Sequence, residues 1–177
     1  MDDHPSRLLV QQGDVDGLAT IGWEFSSSAA YHAIVADLQS RGFVIEAGNV
    51  EGAAWRNVTE YSMGTDPAGN PFEVYHTRTG LVDDFKSPLN IEAFVTGDMG
   101  MGHVVIPAPN MDETHDFYQD VFGFGNSDNL TLPPAAEGAP DMNIRFLHAT
   151  NPRHHSLALF NYPVPSRIVH LILEVNS

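Results

Sequence analysis

An α+β fold built from repeated βαβββ modules is what the amino-acid sequence predicts, and three observations predict it. Apolar patterns of period two and period 3.6 follow one another as strand, helix, strand, strand, strand, and that order occurs twice. The two blocks match in spacing and punctuation: Trp23 to Gly42 is 19 residues, His103 to Gly123 is 20, and each helix closes on a Gly-Phe pair. A further strand-like run, Arg167 to Val175, then starts the pattern a third time.

Each element has its own local reason. Arg7 to Gln12 (RLLVQQ) reads as a strand ending at the Gly13-Asp14 turn signal. Ile21 to Phe25 puts Trp23 and Phe25 on one face, and Ser26-Ser27-Ser28 supplies helix-capping hydroxyls. Tyr31, Ile34, Val35 and Leu38 then form one face of an amphipathic helix, which Arg41-Gly42 closes. Three strands follow, Phe43 to Ala47, Thr59 to Gly64 and Pro71 to His76, the last two joined by the turn Asp66-Pro67-Ala68-Gly69-Asn70. From Thr77 to Gly102, Gly, Pro and Asp without periodicity predict a connection that wanders over the surface.

The second block opens with the strand Gly102 to Ile106. Asn110 with Glu113 three residues on predicts a capping box, and Thr114, Phe117, Tyr118 and Val121 make the helix face. Strands are predicted near Leu130, at Asn143 to His148 and at Ser156 to Tyr162. A strand at each end without the rest of its module predicts an internal piece of a longer protein.

Composition narrows the function. With 42% hydrophobic and 18% charged residues the chain is an ordinary globular one. A net charge of −15 makes phosphate backbones and anionic lipid poor partners, so neither nucleic acid nor membrane is expected. No apolar run reaches the ~20 residues of a bilayer span, and MDDHPSR lacks the features of a secretion signal, so a cytoplasmic protein is predicted. Without cysteine, any metal must be held by His, Asp or Glu, a donor set that suits ferrous iron, manganese or zinc.

The stretch His148 to Glu174 is the one with chemistry in it. It places His154, His155 and His170 around two strand-like runs, where neutral imidazoles can bind a metal and move protons together. The plainer alternative makes His154 and His155 solvent-facing and His170 a core residue. If each module begins with an equivalent strand, His103 and His170 occupy equivalent positions, and modules closing around a shared cleft would set them facing each other across it. His4, His32, His76 and His115 read as surface positions, and His148 and His154 as supporting residues near the site. GDMGMG lacks the strand-to-helix context of a phosphate loop.

The segments GMGHVV (Gly100 to Val105), FLHATNPRHHSLAL (Phe146 to Leu159) and RIVHLILEV (Arg167 to Val175) resemble the extradiol catechol dioxygenases of the vicinal oxygen chelate superfamily. The nearest types are 2,3-dihydroxybiphenyl 1,2-dioxygenase and the related steroid-degrading catechol dioxygenase. The likeness runs back through DPAGNPFEVYHT (Asp66 to Thr77) and QQGDVDGLA, so it covers nearly the whole chain.

That resemblance implies the vicinal oxygen chelate (glyoxalase/bleomycin-resistance/dioxygenase) fold, truncated at both ends. Residues 1–80 would be the remainder of an N-terminal dioxygenase-like domain, 81–98 a connection, and 99–177 the first part of the catalytic domain. It implies Fe(II)-dependent ring cleavage of a catechol by dioxygen, such as 2,3-dihydroxybiphenyl or a steroid catechol, in a homo-oligomer. His103 and His170 match the two histidine ligands of the iron, His155 the acid/base histidine, and Val105 and Phe146 the substrate pocket. The family's carboxylate ligand falls beyond the last residue of this chain. Glu174 is a poor substitute, since four strand residues put it ~13 Å from His170. The alternative is a non-catalytic or glyoxalase-like binding module of the same fold.

Overall fold

The computed structural model describes residues 4–80, 88, 91, 93–134 and 136–176. Most of the predicted 81–98 connection lies outside them. Strand β1 (Ile21–Phe25) leads through Ser27 into helix α1 (Ser28–Ser40), the Ser27 hydroxyl accepting from the Ala30 amide at 3.2 Å. Tyr31, Ile34 and Leu38 are buried, as the helical spacing predicts, and Gly42 takes the left-handed conformation (φ 89°) that ends the helix. The short strand β2 (Glu46–Ala47) is followed by helix α2 (Val50–Arg56), then by the hairpin β3 (Val58–Thr65) and β4 (Pro71–Arg78).

The second block runs β5 (Gly102–Pro107), α3 (Met111–Asp120), β6 (Gly125–Leu132), β7 (Met142–His148) and β8 (Leu157–Phe160), with β9 (His170–Leu173) after it. Its sheet order is β6-β7-β8-β5-β9, against β2-β3-β4-β1 in the first block. In each block the first and last strands, β1 with β4 and β5 with β8, pair in parallel and the other pairings are antiparallel. The repeat read from spacing is therefore a repeat of topology. β9 adds itself antiparallel to the free edge of β5.

One hydrophobic core draws on both sheets. Phe72 and Val74 of β4 and Leu38 of α1 are fully buried with Ile106, Leu147, Leu157 and Leu159 of the second sheet. Aromatic rings join the blocks: Trp23 packs edge-on to Phe124 at 5.0 Å, and Phe117 sits 4.9 Å from Phe43 and 5.8 Å from Phe72. A buried polar knot adds to this. Asp66 accepts from the Asn70 amide and side chain, both at 2.8 Å, and from the Tyr118 hydroxyl at 3.2 Å, while Asn70 also donates to the Pro107 carbonyl. Burial raises the Asp66 carboxyl above its usual range.

Several sequence expectations differ from the structure. Arg7 to Gln12 is not a strand: Leu8, Leu9 and Val10 are exposed and pair with no strand. Apolar content sets a strand only where an edge accepts it. Phe43 to Ala47 shrinks to two strand residues. Helix α2 has no apolar stripe to betray it; its signals are Asn49, which accepts from the Gly52 amide at 2.7 Å, and Asn57, a left-handed cap at φ 54°. The Asn110 capping box does not form either. Its amide donates to the Pro67 carbonyl and to Glu113, and its oxygen accepts from Thr114, so the side chain ties the blocks together rather than capping α3.

His76, read as a surface residue, is buried in β4 with Glu60 3.4 Å away, and the His115 side chain is only 12% exposed. The described end of the connection, residues 93–95, is held against residues 174–176 just past β9: Val95 donates to the Glu174 carbonyl and Asn176 to that of Ala93. Among the described residues no helix is long and apolar enough to cross a membrane.

Candidate metal centre

The second sheet has two unlike faces. Val104, Ile106, Leu157, Leu159 and Leu147 point into the core. The alternate residues point away, and the register aligns Val105 with Ala158, Ala158 with Phe146, and Val105 with His170. His103, two residues before Val105, shares that face. Four of the five residues singled out from the sequence, His103, His170, Val105 and Phe146, thus lie on one side of one sheet.

His103 and His170 are not across a cleft from each other, as the repeat alone suggested; they stand on hydrogen-bonded neighbours. In the antiparallel β5–β9 pair His103 is opposite Ile172 and His170 opposite Val105, a diagonal placement that long side chains bridge. Their Nε2 atoms are 3.2 Å apart. Two imidazoles binding one ion through ~2.1 Å bonds hold their nitrogens ~3.0 Å apart at a right angle and ~3.4 Å at a tetrahedral angle, so the observed spacing fits a shared ion as well as it fits an N–H···N hydrogen bond between the rings.

The electrostatics agree with a ligand role. His103 is pushed down to about 4 from 6.5, first by burial, then by the neighbouring His155, His170 and Arg153. His155 is lowered as well, again mainly by burial and then by His154, Arg153 and His170. Neutral rings keep the lone pairs that a metal or a proton needs.

His155 comes from the turn before β8 and joins the pair by its ring face, not by a nitrogen. Its ring lies 4.1 Å from that of His103, tilted by 41°, and Phe146 packs edge-on to it at 4.8 Å. Its Nδ1 is 3.0 Å from Nδ1 of His154, so one of the two must carry a proton between them. This explains why, among the described residues, no group of three His, Asp or Glu side chains forms a metal-binding cluster. The donors present fit two positions of a divalent ion. Val105 is 2% exposed and Phe146 half-buried, an apolar floor beside the histidines.

Arg153 escaped sequence reasoning, while His154 was expected as a supporting residue near the site. His154 orients His155, and Arg153 reaches the Met99 carbonyl and Glu174. Both lie inside NPRHH, where the adjacent basic residue was the available signal. Glu174 is drawn to Arg153 and not toward the histidine pair. His148 is exposed, its Nδ1 on the Ala149 carbonyl.

Comparison with known proteins bears on this geometry. Residues 100–176 match the model of the Glyoxalase/Bleomycin resistance protein/Dioxygenase superfamily. The whole chain is 38% identical to 60% of an iron-dependent extradiol dioxygenase of Rhodococcus jostii (strain RHA1). It is likewise 36% identical to 59% of a biphenyl-2,3-diol 1,2-dioxygenase of Paraburkholderia xenovorans (strain LB400). The crystal structure of a halotolerant catechol dioxygenase superposes on all of the chain with a TM-score of 0.85 at 30% identity, the chain covering 57% of it. The chain therefore spans about three fifths of the length of the relatives it matches.

Proposed function

We propose that this chain, whose residues 100–176 match the Glyoxalase/Bleomycin resistance protein/Dioxygenase superfamily model, is part of a member of that superfamily and supplies two iron ligands and a proton-transfer histidine to an extradiol catechol dioxygenase. The observation that carries the reading is the His103–His170 pair with Nε2 atoms 3.2 Å apart and the His155 ring against it. His103 and His170 would hold the metal through Nε2. The nitrogen donors accept Fe(II) among other divalent ions, and the Rhodococcus relative, which is iron-dependent by name, favours Fe(II). When bound, the ion supplies the electron exchange by which a catechol reacts with dioxygen.

The chain's own residues do the rest. Val105 and Phe146 offer an apolar surface for an aromatic ring and keep water from it. With the Nδ1 atoms of His154 and His155 facing each other, Nε2 of His155 is left to act. Held neutral by burial, it accepts a proton from a catechol hydroxyl and returns it as the ring opens. The net change inserts both oxygens of dioxygen across the ring bond beside the two hydroxyls, giving an open-chain keto acid. The catalytic part of the chain, on this reading, begins near residue 99, and a biphenyl diol is the substrate to try first.

Iron content and oxygen uptake with 2,3-dihydroxybiphenyl test the proposal. His103→Ala and His170→Ala should lose iron, whereas His155→Ala should keep iron and lose turnover. Equal iron loss in all three would overturn the division of roles. Metal binding without oxygen uptake would favour a glyoxalase-like or purely binding module.

A further inference from the structure

We propose that Arg153 is a positioning residue that locks the three histidine-bearing segments of the candidate metal centre into one arrangement; the proposal rests on the site reading above. The histidines arrive from stretches far apart in sequence. His103 follows the segment 95–102, His155 lies in the turn 151–156, and His170 begins β9. β-pairing ties only the far end of that turn, where Ser156 accepts from the Val104 amide and donates to the Leu147 carbonyl. It does not tie the near end to the entry of β5 or the exit of β9. Arg153 does. Its side chain is only 11% exposed. Nε donates to the Met99 carbonyl at 3.0 Å, Nη2 lies 3.5 Å from the carbonyls of Val95 and Gly100, and Nη1 is 3.4 Å from Glu174 Oε2. One guanidinium thus touches the entry to β5 and the exit from β9 while its own backbone carries His155 two residues on.

A second tie points the same way. Asn151 donates to the same Met99 carbonyl at 3.2 Å and shares a hydrogen bond with Ser156. The turn is held at both ends of the histidine pair, which sets the His155 ring on His103 and Phe146. Arginine suits the task because a planar fork of five donors can serve several acceptors at once. Lysine offers a single ammonium on a flexible stem. Glu174 thereby has a use that does not require it to reach the metal.

The test uses Arg153→Met, which keeps the apolar stem, and Arg153→Lys, which keeps the charge. Two readouts are taken in each: Co(II) affinity by visible absorption, and ring-to-ring NOEs between His103 and His155 without metal. Arg153→Met should weaken Co(II) binding about tenfold or more, the usual effect of removing a residue that orients ligands. It should also lose the His103–His155 NOEs while its circular dichroism stays that of the wild type. Arg153→Lys should restore neither. Retention of the NOEs and of wild-type Co(II) affinity in Arg153→Met overturns the proposal. Should Arg153→Met fail to fold, the same result in Arg153→Lys overturns it. If the wild type itself binds no Co(II), the metal reading fails, and the NOEs alone decide whether Arg153 places the turn.

Discussion

Acid should destabilise this protein through His103 in a way that one substitution can remove. The ring is held down to about 4 against an ordinary 6.5, first by burial and then by His155, His170 and Arg153. A depressed imidazole stays neutral in the folded state while the unfolded chain takes up its proton, so stability falls as pH drops below about 6.5 and levels off near 4. At pH 5 an unfolded imidazole is ~97% protonated and the native one ~10%, a difference of about 2 kcal/mol if the full shift acts. His103 is only partly buried, and solvent screening brings that to about 1 kcal/mol. His103→Gln keeps a polar side chain without the titration. In urea denaturation with a chelator present, the wild type should lose about 1 kcal/mol more between pH 8 and pH 5 than His103→Gln does. Equal losses would mean that the surroundings do not hold His103 neutral, and the case for a ready pair of metal lone pairs would fall with it.

Two further outcomes follow from close packing. A methyl group at Gly102 would run into the carbonyl oxygen of Ile172 on β9, so Gly102→Ala should spread the β5–β9 pair and weaken Co(II) binding about tenfold with both histidines intact; unchanged affinity would contradict the register. Asp66→Ala strands the Asn70 amide and the Tyr118 hydroxyl in a buried place and should cost about 2 kcal/mol, measurable as a lower thermal midpoint, whereas a shift of a few tenths would show that the knot does not join the two blocks.

How much of this was legible in the sequence depends on what each feature rests on. β1, α1 and the second-block strands were legible because their apolar residues lie at strand or helix spacing and their ends carry Ser27, Gly42 and Gly123. Arg7 to Gln12 misled because periodicity cannot say whether an edge is available. Helix α2 was missed because seven residues with one buried side chain have no stripe to read. His76 was misplaced because β4 runs two residues further, to Arg78, and takes His76 inside. For the site, His103, His170 and His155 were named from motifs, but the partnership of Arg153 with Met99 and Glu174 spans 54 and 21 residues and has no local signature.

The two-histidine arrangement is itself a consequence of the repeat. His103 and His170 are 67 residues apart, and the same offset carries Val104 to Leu171. In the β5–β9 pair Val104 is opposite Leu171, so a position of the repeat lies against its own equivalent. That makes the junction a local twofold, and equivalents one step from its centre must fall diagonally on the same face. One histidine per module is then enough to place two nitrogens side by side, provided the strand parity holds. Exchanging the neighbours in the double variant His170→Leu, Leu171→His keeps the composition but turns the imidazole to the side where Leu171 packs against the core. Metal binding should be lost and some stability with it. Undiminished Co(II) affinity in that variant would show that register on β9 does not build the pair, and the link from repeat to site would be broken.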